Sequence, residues 1–421
     1  MSVCGRRESD SEMCGIPEEE RRKKIREAVL EEIPSGIEIT DEELLELIEG
    51  HIQEQSRREY IRLREKKGLR HGVFNSIRKM DILQDILEDG DVTEIMVNGP
   101  EHIFVEREGR LTETGLSFEH RERLEDIAQQ IASSGNRMVN ESNPILDARL
   151  ADGSRVNIVV PPIAIDGPVI TIRKFPEEAL TMKKLIAMGA VTEEVAEFLK
   201  KLVEAKYNIF ISGGTGAGKT TFLNILSNYI PGTERVITIE HSAELQIQDV
   251  ANLVRLEARN GNVEGKNEVT IRDLVKSALR MRPDRIIVGE IRDAAAIDLL
   301  SALNTGHDGS LSTGHANSPA DMLNRLETLV LMGLDIPLAA IRQQIASGID
   351  LMVHLGRLRD KSRKVLEVTE VGEVSDGKIV LSPLYVFREE GERDGRVLGR
   401  LRTTGNSLKF TEKCERAGVR L

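Results

Sequence analysis

The residues Gly213-x4-Gly218-Lys219-Thr220 have the types and spacing needed to hold a chain of phosphates. The stretch GGTGAGKT covers Gly213, Gly214, Thr215, Gly216, Ala217, Gly218, Lys219 and Thr220, with Thr221 directly behind, and matches the phosphate-loop pattern at every position. Its glycines let backbone N–H groups turn toward an anion without a Cβ in the way. Lys219 supplies charge to the β and γ oxygens of a nucleoside triphosphate, Thr220 a hydroxyl for Mg2+, and the following helix start a favourable partial charge.

Three further groups could complete that chemistry. RIIVGEIRD ends a strand in Gly289-Glu290, where an Asp commonly helps hold Mg2+. Glycine lets the strand end come close to the phosphates, and the longer Glu290 suits orienting and polarising an attacking water. RVITIEHSAEL carries Glu240 at the end of an alternating strand, placed to meet metal-bound water, and Glu244 beyond it. NTGHDGSLSTGHANSP holds two of the eight histidines, His307 and His315, each after Thr-Gly. Their imidazoles could donate to a γ-phosphate oxygen and so report whether it is present.

These groups need a scaffold. NIFIS is a buried strand before the loop, and Phe222, Leu223, Ile225, Leu226, Tyr229 and Ile230 follow at helical spacing. RVITIE, RIIVGE, GSLSTGH and DLMVHLG alternate with helical patterns, the signature of a parallel, doubly wound sheet. Toward the N-terminus, residues 1–17 read as a disordered tail and 18–88 as a helical segment. Within that segment Thr40 and Glu43 form a capping box that opens a helix running into the basic stretch at Lys66-Lys67, a solvated face. A second helical pattern runs through VFNSIRKMDILQDILED. Residues 89–180 read as a small α/β domain, with a hairpin turn at Asn98-Gly99. Residues 181–421 read as the nucleotide-binding domain with a C-terminal extension.

Composition narrows the class. In 421 residues the net charge is −12, which weighs against nucleic acid as a partner and hence against a DNA translocase. Aromatics are 3% with no Trp, so the core must be aliphatic. No apolar run reaches the roughly 18 residues of a membrane span, because VNIVVPPIAIDGPVITI is broken by Pro161, Pro162, Asp166 and Pro168. The N-terminus lacks the apolar core of a secretion signal. Cys4, Cys14 and Cys414 form no zinc or disulfide pattern, so the chain reads as cytoplasmic.

The ordered set of phosphate loop, acidic box ITIEHSAEL, IIVGEIRD and histidine box TGHDGSLSTGHANSP resembles the type II/IV secretion ATPases and their pilus-assembly relatives. LVKSALRMRPDRIIVGEIRD is most similar to the CpaF-like tight-adherence (Flp/Tad) branch, and DARLADGSRVNIVVPPIAIDGPVITIRKF to that branch's smaller domain. The resemblance covers roughly residues 75–421. It implies an α/β fold, a RecA-like P-loop NTPase domain with a smaller N-terminal α/β domain preceded by a helical segment. It further implies a homo-hexamer, peripheral at the cytoplasmic membrane, that couples hydrolysis of ATP with Mg2+ to an inner-membrane platform and so to pilus assembly or secretion. By the same resemblance Glu290 positions water, Glu240 belongs to the acidic box, His307 and His315 form the histidine box, and Arg149, Arg155 and Arg173 reach toward nucleotide. One position departs: His241 stands where the acidic box commonly has Asp. Two other readings stay open, a type IV secretion ATPase serving conjugation or effector export, and a nucleotide-gated structural ring with little hydrolysis.

Overall fold

The computed structural model describes residues 18–33, 39–107, 109–135, 137–175, 180–259, 261 and 267–421. The expected tail at 1–17 lies outside them. The chain divides into two compact units, Met1–Glu177 and Glu178–Leu421.

The first unit opens with α1 (Glu18–Glu32), α2 (Asp41–Arg58) and α3 (Leu63–Arg78). Ile25 and Val29, then Leu44, Ile48 and Ile52, then Leu69 and Val73 recur four residues apart and close a small core around Ile61. The capping box is present: Thr40 accepts the Glu43 N–H, and the Glu43 carboxylate accepts the Thr40 N–H. The single helix expected from Thr40 to Lys67 is two, because Glu59 takes an extended conformation and ends α2.

After α4 (Ile82–Glu88) come β1 (Val92–Asn98), β2 (His102–Arg107), β3 (Arg110–Glu113), α5 (Arg121–Ser134), β4 (Ile145–Arg149), β5 (Arg155–Val159) and β6 (Val169–Arg173). The strands form an antiparallel sheet in the order β3-β2-β1-β6-β5-β4. The predicted Asn98-Gly99 turn joins β1 to β2, with Gly99 at φ 72. Leu83 and Ile86 of α4 and Leu124, Ile127 and Ile131 of α5 cover one sheet face, built from Ile95, Val97, Ile103, Val105, Ile158, Ile170 and Ile172. Thus α4, the last helix of the segment 18–88 expected to be helical, packs on the sheet. The continuous helix expected through VFNSIRKMDILQDILED breaks at Asp81, where φ is 53. Its buried carboxylate pairs with Arg123 of α5 at 2.8 Å and Arg22 of α1 at 3.6 Å. Polar periodicity alone could not show that this residue faces inward.

The second unit contains α6 (Met182–Ala187), α7 (Glu193–Glu204), β7 (Ile209–Gly213), α8 (Lys219–Ser227), β8 (Arg235–Glu240), β9 (Asn252–Glu257), α9 (Ile271–Ala278), β10 (Arg285–Val288), α10 (Ala295–Leu303), β11 (Leu311–His315), α11 (Pro319–Leu331) and α12 (Leu338–Gly348). It ends with β12 (Leu351–Arg357), β13 (Arg363–Ser375), β14 (Lys378–Arg393), β15 (Arg396–Thr403) and α13 (Glu412–Ala417). The sheet order is β15-β14-β13-β12-β7-β11-β10-β8-β9. From β12 to β9 every neighbouring pair is parallel. One apolar cluster places α7 and α8 against the sheet, and another places α9, α10, α11 and α12 against it. The doubly wound α/β sheet expected from the sequence is therefore present. Its antiparallel continuation through β13, β14 and β15 is an addition the sequence pattern did not show. β14 is mostly half-buried or exposed, so it lacks the apolar run that marks the parallel strands.

Candidate active site

All of β7 is buried, and the chain leaves it at Gly213 for an exposed turn at Gly214, Thr215 and Gly216. Gly216 and Gly218 take φ of 69 and 92, left-handed conformations that a side chain would strain. Gly218 caps α8, so the first-turn N–H groups of Lys219, Thr220 and Thr221 have no acceptor within the helix, an arrangement suited to an anion. Parallel pairing of Gly213 with His315, and of Val288 with Ser312, brings this loop, Glu290 and His315 to the same carboxyl edge of the sheet.

At that edge the side chains meet. Lys219, 7% exposed, donates from Nζ to Gly214 O at 2.9 Å and lies 3.2 Å from His315 Nδ1. His315 Nε2 is 2.8 Å from Glu290 Oε1, and Arg292 reaches Glu290 Oε2 at 2.6 Å. The His315–Glu290 contact is close but not aligned as a hydrogen bond, leaving the buried Glu290 Oε1 without a donor. An ammonium facing Nδ1 makes that nitrogen the acceptor, which assigns the ring proton to Nε2. Burial lowers the Lys219 pKa; Glu290 opposes this, while Arg292 and Arg325 add to it. Burial also lowers that of His315, against the pull of Glu290 and with Lys219, Arg292 and Arg325. This is a cationic pocket in which an anion would relieve the lysine.

Glu240 ends β8 and is 3% exposed. Its Oε1 accepts the N–H groups of Glu244 and Leu245 at 2.9 and 3.1 Å, so the carboxylate holds the turn that follows. Burial pushes its pKa up to about 7 despite those donors. A Cβ on Gly289 would stand 2.9 Å from Glu240 Cγ, which explains the glycine before Glu290.

His307 is a correction. β11 runs parallel to β7 from Leu311, opposite Ile209, to His315, opposite Gly213. His307 precedes the amino end of that strand, while the phosphate loop leaves the carboxyl end, and four steps of about 3.3 Å separate the strand's two ends. Its ring faces Ala302 O at 3.3 Å. The local repeat of Thr-Gly-His is misleading because strand direction sends its two copies to opposite edges.

In the first unit, Arg149 pairs across strands with Arg155, and Arg155 with Arg173. The three stand in one row on the sheet face turned away from the apolar core. Arg173 also approaches Glu94 at 3.7 Å. Like charges directly opposite are unfavourable by themselves, and the Glu94 carboxylate offsets part of that for Arg173.

A nucleoside triphosphate fits the second unit's residues: an N–H cradle, a lysine whose charge burial disfavours, and the buried Glu290 oxygen without a donor. Among the described residues no group of three or more His, Cys, Asp or Glu could hold a metal alone. A Mg2+ ion here would lie between Thr220 and phosphate oxygens, the usual arrangement for an ion that keeps few protein ligands.

The family model described as type II/IV secretion system protein matches residues 77–393. The chain belongs to this family. A Mycobacterium tuberculosis relative provisionally named for conjugal transfer is 35% identical over 305 residues, covering 71% of this chain and 86% of its own. The type IV secretion system protein VirB11 of Bartonella quintana is 31% identical over 335 residues, covering 70% and 92%. Among solved structures, the Legionella pneumophila ATPase DotB aligns with TM-score 0.50 and 23% identity over 69% of this chain and 80% of that one. The Yersinia pseudotuberculosis ATPase DotB gives 0.51 and 17% over 71% and 79%. These two likenesses speak to the fold alone.

In this type II/IV secretion system protein the structure adds three side chains that the motifs did not single out. Arg292 was legible two residues beyond Glu290. Arg325, on α11, bears on both Lys219 and His315. His354 of β12, 7% exposed, lies with Nδ1 2.9 Å from Ser212 Oγ and bonds the backbone of Asn317. It thereby ties the strand that launches the phosphate loop to the segment just after His315, a link that only sheet pairing creates.

Proposed function

We propose that the chain is a hexameric ATPase motor that drives a Tad/Flp-type pilus or related secretion machine from an inner-membrane platform. The observation that carries the enzymatic part is the array Lys219–His315–Glu290–Arg292 beside the phosphate loop. Residues Gly213 to Thr221 would hold the phosphates, Lys219 would bind the β and γ oxygens, and the Thr220 hydroxyl would hold Mg2+. When bound, Mg2+ neutralises charge on those oxygens. Glu290, oriented by Arg292, aligns the attacking water, and neutral His315 donates its Nε2 proton at the reacting end. Glu240 holds the loop beside Gly289 through the N–H groups of Glu244 and Leu245, and its remaining acceptor capacity would meet water around the metal. The row Arg149, Arg155 and Arg173 stabilises charge on the transferring phosphoryl group when the two parts of a working subunit close.

In this reading a helical module, a small α/β domain and the RecA-like domain from about 181 onward divide the work. A type IV secretion role in conjugation is the second reading, favoured by the names of the M. tuberculosis and B. quintana relatives. Copurification of a pilus platform protein or of a conjugation channel component separates the two. The test of the motor itself is phosphate release by the purified chain. Lys219→Ala should abolish turnover, and Glu290→Gln should keep ATP bound while lowering turnover at least a hundredfold, as loss of a water-positioning group does. A Gln variant turning over at the wild-type rate removes Glu290 from the chemistry. A wild-type chain that binds ATP without turnover supports the nucleotide-gated ring.

A further inference from the structure

The flank of the phosphate loop away from β11 is formed by the β12–β13 hairpin, because β12 lies parallel to β7 with Leu355 opposite Gly213. The hairpin end, GRLRDKSRK, is strongly basic, and its charges divide into two kinds. Arg359 is neutralised by Glu389 and Glu392, at 2.7 and 2.9 Å. Lys364 is buried and donates to Gly189 O at 2.8 Å. The Asp360 carboxylate accepts from Ser362 and from the Val397 N–H. Lys361 is exposed, and the exposed side chains of Arg357 and Arg363 likewise have no hydrogen bond or ion pair among the described residues. The two arginines are direct cross-strand partners, a like-charge pair that costs stability unless an anion joins it. The Arg363 stem also runs over the loop: its Cδ lies 3.7 Å from where a Cβ on Gly218 would stand.

We propose that Arg363, backed by Arg357, binds the α-phosphate of the nucleotide. This rests on the ATP-binding reading above. Lys219, Glu290 and His315 mark the terminal-phosphate end on the β11 side. A triphosphate laid across the loop from that end brings its inner phosphate toward the cap of α8, where the unneutralised guanidinium stands. A planar guanidinium fork matches two phosphate oxygens, which a lysine at this position would not.

The test is equilibrium binding of ATP, ADP and GTP with Mg2+ to the full chain by calorimetry, for wild type, R363A, R363K and R357A. Because the Arg363 side chain is exposed and R363A relieves its like-charge pairing with Arg357, the variant without nucleotide should melt at or slightly above the wild-type temperature, and the melt checks this directly. R363A should weaken all three nucleotides by a common factor of about ten, the size expected for one charge-assisted contact. R363K should recover part of the loss, and R357A should show a smaller one. Unchanged affinity in R363A overturns the assignment to Arg363 while leaving the ATP reading intact. A loss confined to ATP and ADP, sparing GTP, would mean that the arginine reads the base, and would also overturn it. If wild type bound no nucleotide, the underlying ATP reading would fall and this proposal with it.

Discussion

Single side chains here are set by burial as much as by charge. Glu240 shows it most directly: desolvation raises its carboxyl from the ordinary 4.5 to about 7, so the folded chain keeps a proton that the unfolded chain releases. The resulting stability is complete below pH 4.5 and is lost as the pH rises through 7. Glu240→Gln keeps an oxygen for the two loop N–H groups and removes the titration. Its melting temperature should therefore overtake that of wild type between pH 5 and pH 8, with an advantage at pH 8 approaching about 3 kcal/mol. A gap independent of pH would show that the carboxyl does not titrate with folding. His315 has the opposite sense. Burial lowers its pKa, so it is neutral at pH 7, and protonation would set a cation against Lys219. The acid limb of the kcat profile should fall below the usual histidine range near 6.5, and replacing His315 with Gln should flatten that limb.

At the scale of elements, the site depends on how closely two strand ends approach. β10 pairs with β8, Val288 opposite Ile239, and Gly289 leaves room for the Glu240 side chain. Gly289→Ala places a methyl 2.9 Å from Glu240 Cγ, so the buried Glu240 side chain or one of the two strand ends must shift. The expected cost is about 1–3 kcal/mol, as for other overpacked sites, with a larger loss of turnover because Glu290 moves with the strand. Chemical denaturation and phosphate release measure the two effects. A variant of wild-type stability and rate would show that the ends can part freely. Pairing of this kind was not visible in the motifs. IIVGEIRD announces a strand and an acid, but the neighbour of that strand, and hence the reason for the glycine, is set by sheet order.

For the molecule as a whole, membership of the type II/IV secretion system family and the two-unit division frame the motor proposal. Among the described residues no helix is long and apolar enough to cross a membrane. The arginine row in the first unit gives the coupling idea its sharpest test. Arg155→Ala or Arg173→Ala should lower kcat by about tenfold or more while changing ATP affinity less than threefold, if these cations act on developing charge rather than on ground-state binding. Single-turnover kinetics with titrated ATP read both quantities. A pure affinity loss would contradict a role on closure.

The amino-acid sequence by itself singled out Gly213–Thr220, Glu290 and His315 as a group, and determined the parallel alternation of strands and helices and the helix start at Thr40. Each is encoded within a few contiguous residues, where backbone geometry and side-chain period act directly. Tertiary structure alone decided that His307 lies at the wrong edge, that Asp81 turns inward, and that the arginines of β4, β5 and β6 stand in one row. It also decided that His354 and Arg363 come beside a loop well over a hundred residues earlier in the chain. Those outcomes follow from strand order, direction and register, which depend on pairing between segments far apart in the chain and leave no local mark on any one of them.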